Sequence, residues 1–413
     1  MSTSKRNKKK SKRDHAWFWY FIVARVACRV VTMGHDVHVY NEATRHIKPP
    51  FIAVGNHQGQ WDFFYAYKAL LPHKVRIVAT RYQFFRPLAG ILMRKTGAIG
   101  KSQFASDPSA VREILRTIKR DGSILIYPSG RISLFGEDAK PFRGGYELLK
   151  KLNVPVIMVH LDGSYRTGPR YNPDIKKRGR VDVRTSVLFT PEDFQSLPED
   201  EALRRFDAAF CHDDFDSPNQ GEYRSKNLIA GLEDLLYMCP ECRSDFSMQT
   251  EGKTIIRCTK CGFIATMDRR FRFKSVDGAA CPATISEWGR LIRAEELKRA
   301  TENPEYTIRA EMKLCEHIKT FEMMSQVGTV QAVYDAKGFH LKGDRHGKPF
   351  ERFYSCEEYP AIHFLDKINI IVPDSETVTC VRPPSAAEVT KWAVVSEAFS
   401  TKSADTKNMS RAI

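Results

Sequence analysis

Between residues 37 and about 190, short apolar runs rich in β-branched residues alternate with stretches whose apolar positions recur every three or four residues. "FIAVGN" (51–56), "VRIVAT" (75–80), "SILIYP" (123–128), "VPVIMVHL" (154–161) and "VDVRTSVLF" (181–189) read as strands bounded by turn residues. "WDFFYAYKALL", "PSAVREILRTIKRDG" and "GGYELLKKLN", lying between them, read as helices. Asp107-Pro108 opens the second of these, since proline suits the first helical turn, and Gly122 closes it. Strands alternating with helices predict a layered α/β domain around a largely buried sheet. The acidic, helix-patterned residues 191–236 complete it, giving a domain over 37–235.

Beyond that point the pattern changes. Residues 236–272 carry two CxxC pairs, and 273–326 read as a helical connector: "TISEWGRLIRAEELKRATEN", then "EYTIRAEMKLCEHIKTFEMMS". Residues 327–400 turn to strands, "TVQAVYD", "GFHLKG", "ERFYSCEE", "AIHFLD", "KINIIVP" and "ETVTCV", and end in a helix, "SAAEVTKWAVVSEAF". Several strands capped by one helix suggest a small β-barrel or sandwich of the pleckstrin-homology type, with 401–413 as a frayed tail.

Residues 1–36 divide in two. Seven basic residues fall between Lys5 and Arg13, followed by the apolar, aromatic run "AWFWYFIVARVACRVVTM" from Ala16 to Met33. Arg25 and Arg29 interrupt that run four positions apart, on one helical face. A spanning helix needs about 20 apolar residues and tolerates central charge poorly. The expectation is therefore an in-plane helix with Trp17, Phe18, Trp19 and Phe21 at the acyl boundary. A signal anchor and a helix buried against the domain are the alternatives.

Charge adds a partner. Lys+Arg total 65 against 49 Asp+Glu, a formal net charge of +16 that calls for an anionic surface, nucleic acid or acidic substrate. Basic residues beside the apolar run would add about 1 kcal/mol each on an anionic leaflet. The ten cysteines make no disulfide framework, and no cleavable secretory signal is evident. The expected location is the cytoplasmic face of the cell membrane, peripheral or monotopic.

The strongest chemical signal is "GNHQGQWD", with Asn56, His57 and Asp62. A histidine at the end of a buried strand, followed five positions later by an aspartate, makes a base and its orienter. Such a base removes the proton that keeps a hydroxyl a weak nucleophile. The pair alone also fits a satisfied histidine at a helix start. In "ILIYPSGRIS", Ser129, Gly130 and Arg131 form a turn beside a guanidinium that suits a phosphate or oxyanion, or is simply a strand-to-loop turn. Lys140 and Arg143 precede a Gly-Gly helix start.

Across roughly residues 35–225 the chain resembles the glycerolipid acyltransferase family, that of the 1-acylglycerol-3-phosphate acyltransferases. Its Asn-His-x4-Asp motif matches Asn56, His57 and Asp62; its Pro-Glu-Gly-Thr-Arg-Ser motif matches the position of Pro128–Ser133; its Val-Pro-Val-type strand matches Val154, Pro155 and Val156. Order and spacing agree. Ser129 replaces the motif's Glu, and Arg131 stands one position early. Where the family has a phosphate-holding Arg, "GAIGKSQF" offers Gln103 and, two positions earlier, Lys101. The resemblance implies acyl transfer from acyl-CoA or acyl carrier protein to a lysophospholipid hydroxyl, with His57 as base and Asp62 steadying it. Asn56, Lys101, Ser129, Gly130, Arg131, Lys140 and Arg143 become the candidate substrate contacts.

Cys239/Cys242 and Cys258/Cys261 are two knuckles that complete a tetrahedral S4 site, closed and structural, as in a zinc ribbon. A rubredoxin-type iron site uses the same ligands. Two rival functions stand beside acyl transfer. A basic zinc-ribbon protein binding nucleic acid would explain the charge and the cysteines while leaving the three ordered motifs as coincidence. A lipid-binding scaffold on an inactive acyltransferase fold would explain Ser129 and Gln103. The expected partners are an anionic membrane surface, a lysophospholipid acceptor and an acyl thioester donor, with no nucleic acid.

Overall fold

The computed structural model describes residues 20, 22–102, 107–172, 178–316, 324–356, 359, 361–364, 366–372 and 379–411. The arm Lys5–Arg13, the aromatics Trp17, Phe18, Trp19 and Phe21, and Gln103 lie outside the described residues. The chain divides into two compact units, Met1–Pro169 with Lys176–Tyr223, and Arg170–Ile175 with Arg224–Ile413.

The first unit is built on seven strands: β1 (Asp36–Tyr40), β2 (Ile52–Gly55), β3 (Val75–Thr80), β4 (Ile99–Lys101), β5 (Ser123–Ile126), β6 (Val156–Asp162) and β7 (Arg180–Phe189). Their order is β1-β7-β6-β2-β5-β3-β4. The block from β6 to β4 is parallel; β7 runs antiparallel to β6, with β1 parallel to β7. The five long runs in the sequence all become strands. β1 and β4, short and at opposite edges, carried too little apolar pattern to stand out.

Side-chain alternation along β2 sorts the core into two layers. Phe51 and Ala53 join Tyr65, Ala66 and Ala69 of the helix Asp62–Leu70. Ile52 and Val54 face Ile114 of the helix Pro108–Ile118 and Tyr146 and Leu149 of the helix Arg143–Leu152. Burial on both faces explains why these strands read as continuous apolar runs. Asp107 caps the second helix, accepting from the Ala110 N–H (3.0 Å) with Pro108 at the first position.

At the start of the described chain, a π-helical turn Val23–Ala27 leads into the helix Cys28–Thr32. Tyr20, Cys28 and Thr32 are buried; the Tyr20 hydroxyl accepts from Val75 N–H (3.0 Å) and donates to the His73 carbonyl (3.2 Å). Ile22, Val26, Val30 and Met33 are exposed. The segment thus packs one face on the domain and leaves an apolar row outside. Among the described residues, no helix is long and apolar enough to cross a membrane.

The second unit holds two antiparallel sheets. The smaller comprises β8 (Met248–Glu251), β9 (Ile255–Cys258), β10 (Ile264–Met267) and β11 (Phe273–Ser275), in the order β11-β10-β9-β8. The helix Ile285–Glu302 packs on it through Trp288, whose ring meets Phe263 and Phe273 and whose Nε1 donates to the Met238 carbonyl (2.9 Å). The larger sheet comprises β12 (Ile308–Glu316), β13 (Ser325–Asp335), β14 (Gly338–Arg345), β15 (Lys348–Ser355), β16 (Ile370–Val372) and β17 (Thr379–Arg382), in the order β15-β14-β13-β12-β17-β16.

Three expectations are corrected in this unit. The second half of the helical connector is a strand, β12: Ile308, Met312 and Leu314 are buried while Arg309, Glu311 and Lys313 are exposed. That is a period of two, which the strong helix formers Glu, Met, Lys and Leu obscured. "AIHFLD" forms no strand among its described residues but a single antiparallel bridge, Phe364 to Ile370; Ile362 N–H donates to Ser396 Oγ (2.7 Å) and His363 N–H to the Tyr359 hydroxyl (3.1 Å). The final helix runs Ala386–Arg411, through the residues expected as a frayed tail.

Candidate active site

β2 lies in the middle of the parallel block, and the chain leaves its carboxyl end through Asn56 and His57. Ligands of open α/β sheets collect at that rim. Asn56 does not present a free amide there. Its Nδ2 donates to the Leu161 carbonyl (2.9 Å) and its Oδ1 accepts from Leu161 N–H (2.7 Å), so it ties the end of β2 to β6.

The turn then folds back on itself. His57 Nδ1 lies 2.8 Å from Asp62 Oδ2, and the same oxygen accepts from Gln58 N–H (2.6 Å) and Gly59 N–H (2.9 Å). Asp62 is the first residue of its helix and wholly buried. Three donors on one carboxylate oxygen fix its orientation, and the helix start adds a favourable dipole. The bond to Nδ1 selects the tautomer whose Nε2 can accept a proton. Nε2 makes no hydrogen bond among the described residues, and the side chain is 23% exposed.

The neighbouring strand end supplies the walls. Tyr127, directly after β5, stacks on the His57 ring at 4.3 Å and 22°. Gly55 permits this, because a Cβ there would stand 2.9 Å from the Tyr127 ring. The Pro128 turn follows, with Gly130 at φ +63°. Ser133 N–H donates to the His57 carbonyl (2.7 Å), which binds the turn to the histidine's backbone. Gly130 N–H is already spent on the Tyr127 carbonyl (3.0 Å), and Ser129 Oγ donates to the Arg131 carbonyl (3.0 Å). Ser129, Gly130 and Arg131 thus share a rim with His57, though the Gly130 N–H expected for an oxyanion is engaged.

The other basic candidates are dispersed. Lys101 ends β4, three strands from β2, or roughly 14 Å along the sheet. Its ammonium donates to the Ser102 carbonyl (3.0 Å), and burial lowers its pKa against the pull of Asp107. Arg143 pairs with Glu199 (2.9 Å) and Glu147 (3.4 Å) on an exposed surface, and Lys140 is exposed. Among the described residues, no contact brings these two to His57.

Behind the rim lies a charged cluster that the sequence did not reveal. Wholly buried Asp214 accepts from Gly163 N–H (2.6 Å) and Arg166 Nε (3.1 Å), with His212 Nε2 at 3.4 Å. Burial opposes the Asp214 charge, but Arg166 and His212 outweigh it and hold its pKa below the usual value. Arg166 also donates to the Asn219 carbonyl (2.8 Å) and lies over the Tyr223 ring at 4.8 Å. These contacts tie the end of β6 to the 212–223 segment.

In the second unit the four knuckle cysteines converge. Cys239 and Cys261 sulfurs are 3.6 Å apart, Cys242 and Cys258 sulfurs 3.8 Å, and all four lie within 4.8 Å of one another. Disulfide sulfurs would be bonded at about 2.05 Å. A tetrahedral zinc with Zn–S bonds of about 2.3 Å sets its sulfurs about 3.8 Å apart, so the donor set fits. Burial raises the Cys258 thiol pKa, but Ser247 and the backbone N–H groups of Cys261 and Lys260 bring it down to about 6, favouring the thiolate a metal requires.

Residues 36–161 match the family model described as Acyltransferase. Residues 232–271 match the one described as DNA directed RNA polymerase, 7 kDa subunit, a zinc ribbon. Among solved structures, the chain is similar to the 1-acyl-sn-glycerophosphate (LPA) acyltransferase PlsC from Thermotoga maritima, at 19% identity. That likeness covers 50% of this chain and 79% of the other, with a TM-score of 0.39. No curated protein matches the sequence significantly. The first unit carries an acyltransferase-family domain, and the second a zinc-ribbon-like cysteine cluster.

Proposed function

We propose that the protein transfers a fatty acyl group from a thioester donor, acyl-CoA or acyl carrier protein, to the hydroxyl of a lysophospholipid, with His57 as general base. The observation that carries this is the His57–Asp62 contact, 2.8 Å, with Asp62 Oδ2 held by two further N–H donors and the ring partly open.

In this reading His57 Nε2 takes the acceptor's proton as the oxygen attacks the thioester carbonyl. The tetrahedral intermediate collapses, the C–S bond breaks, and the imidazolium returns the proton to the leaving thiolate. No acyl-enzyme forms. Asp62 holds the ring and stabilises the imidazolium between the two steps. Arg131, on the same rim, supplies positive charge for the oxyanion or for an acceptor phosphate. Lys101, three strands along, suits an acceptor group remote from the reacting hydroxyl. The four cysteines hold a structural zinc.

The surface of action is the cytoplasmic leaflet. The exposed row Ile22, Val26, Val30 and Met33 is spaced at helical intervals, with exposed Arg25 and Arg29 beside it. That combination supports an interfacial segment on an anionic bilayer.

The test is thiol release from acyl-CoA by the full chain, with and without lysophosphatidic acid. Acceptor-dependent release that falls about 10²–10⁴-fold in His57→Ala is expected. Equal release in the variant, or silence with every lysolipid and both carrier types, would overturn the assignment.

A further inference from the structure

Gln58 joins the base pair to a second carboxyl. The residue is wholly buried. Its backbone N–H donates to Asp62 Oδ2 (2.6 Å), while its side-chain Nε2 donates to Asp138 Oδ1, 80 positions along the chain. Asp138 lies on the loop that leaves the Pro128 turn, and that loop is pinned at several points. Ser133 N–H holds the His57 carbonyl (2.7 Å), Ser133 Oγ bridges Gly136 N–H (2.8 Å) and the Glu137 carbonyl (2.6 Å), and Asp138 N–H donates to the His212 carbonyl (2.8 Å).

Gln58 Oε1, Asp62 Oδ1 and Asp138 Oδ2 are all buried with no hydrogen bond among the described residues. Three buried polar atoms without partners beside one histidine–aspartate pair are costly, and packing alone gives no reason to place a carboxyl there. The groups around Asp138 come from each neighbouring element. Asn56 and Gln58 belong to the turn after β2, Asp62 to the following helix, and His212 to the segment after the helix Glu199–Ala208. Asp214, Asp162 and Arg166 stand behind His212.

We propose that Asp138 is a positioning residue for the His57–Asp62 pair, anchoring the Gln58 side chain so that the Gln58 N–H stays on Asp62 Oδ2. Without that anchor the Gln58 amide would be buried and unpaired, and its peptide would be free to turn away from the carboxylate that orients His57. The same carboxyl couples the pair to pH. Burial pushes Asp138 up to about 8, with Asp62 adding to the rise and His212 and the Gln58 amide opposing it. At neutral pH it is an uncharged acceptor. Above that range it places a second negative charge behind Asp62, which stabilises the imidazolium.

The sign of the stability effect follows. An unfolded aspartate releases its proton near 3.8, whereas the folded one keeps it to about 8. The folded chain therefore binds more protons between these values, and stability falls as pH rises across that window.

The reading rests on His57 as the base, so the experiment needs a readout apart from turnover. In the full chain with carbon-13-labelled histidine, the His57 Cε1–H resonance is assigned by its loss in His57→Gln and followed from about pH 5 to about pH 10. Wild type is expected to show its own inflection and a second near pH 8; Asp138→Asn should show only the first, with a melting temperature that falls less across the window. In acyl transfer at neutral pH, Asp138→Asn, which keeps the acceptor, should hold kcat within about twofold. Asp138→Ala should lose about tenfold in kcat with KM within about twofold. A single inflection in wild type, or Asp138→Ala with wild-type titration and kcat, would overturn the proposal. If wild type transfers no acyl group, the catalytic reading fails, and the titration still decides whether Asp138 acts on His57.

Discussion

The base pair and the cysteine knuckles are both short motifs, yet they are completed differently. His57 and Asp62 lie five positions apart, and each cysteine pair spans a CxxC. Four sulfurs from two short turns gather among themselves, so the site needs only the two knuckles and an ion. The base pair is complete in itself only as a hydrogen bond. Its ring is stacked by Tyr127, its peptide held by Ser133 and its neighbour Gln58 anchored by Asp138, all from the chain that follows the neighbouring strand β5. A closed site can be specified locally. A histidine left with one open nitrogen has its environment assembled from distant chain.

Three measurements put that contrast under strain, beyond the His57→Ala loss already described. The largest effect belongs to the ribbon. Structural zinc sites of this kind contribute on the order of 10–16 kcal/mol at neutral pH. Cys258→Ser, or a strong chelator, should abolish stoichiometric metal by elemental analysis and expose the 239–275 backbone to hydrogen exchange. If turnover disappears with the ribbon, the two sites are coupled and the comparison breaks. If it persists, the ribbon is a self-contained module.

A smaller effect is expected from the buried cluster behind the base. Asp214→Ala removes a carboxylate that Arg166, Gly163 N–H and His212 all use, leaving the buried guanidinium only the longer pairing with Asp162 (3.7 Å). Breaking one side of such a pair costs about 3–5 kcal/mol, readable by denaturant unfolding of the first unit. A loss below about 1 kcal/mol would show that the cluster does not hold β6 to the 212–223 segment.

The smallest effect sharpens the role of Tyr127. Its hydroxyl is buried with no hydrogen bond among the described residues, while its ring stacks on His57. Tyr127→Phe keeps the ring and removes the orphan, so stability and kcat should change by less than about a factor of two. A large loss of kcat would mean that the hydroxyl reaches substrate.

How far the sequence could be read depended on the range of the interactions. The strands β2, β5 and β6 were legible because each is buried on both faces and written in consecutive apolar residues, and β3 and β7 because their β-branched residues are bounded by turns. β12 was read as a helix. Its alternation Ile308-Arg309-Ala310-Glu311-Met312-Lys313-Leu314 signals a half-buried strand, and intrinsic propensity pointed the other way. Asn56 shows a subtler gap. The motif marked it as important, but only the fold revealed that its amide is taken up in holding β2 to β6.

The sequence by itself determined the α/β alternation, the meeting of His57 with Asp62, and the four-cysteine cluster. Each depends on periodicity or on spacings of a few residues, which the backbone translates directly into geometry. Tertiary structure alone decided that Arg143 is committed to Glu199, that Lys101 stands three strands from the base, and that Asp138 reaches Gln58. Those facts depend on strand order and on loops meeting at the carboxyl rim of the sheet. Crossover connections bring together residues whose separation along the chain says nothing of their distance.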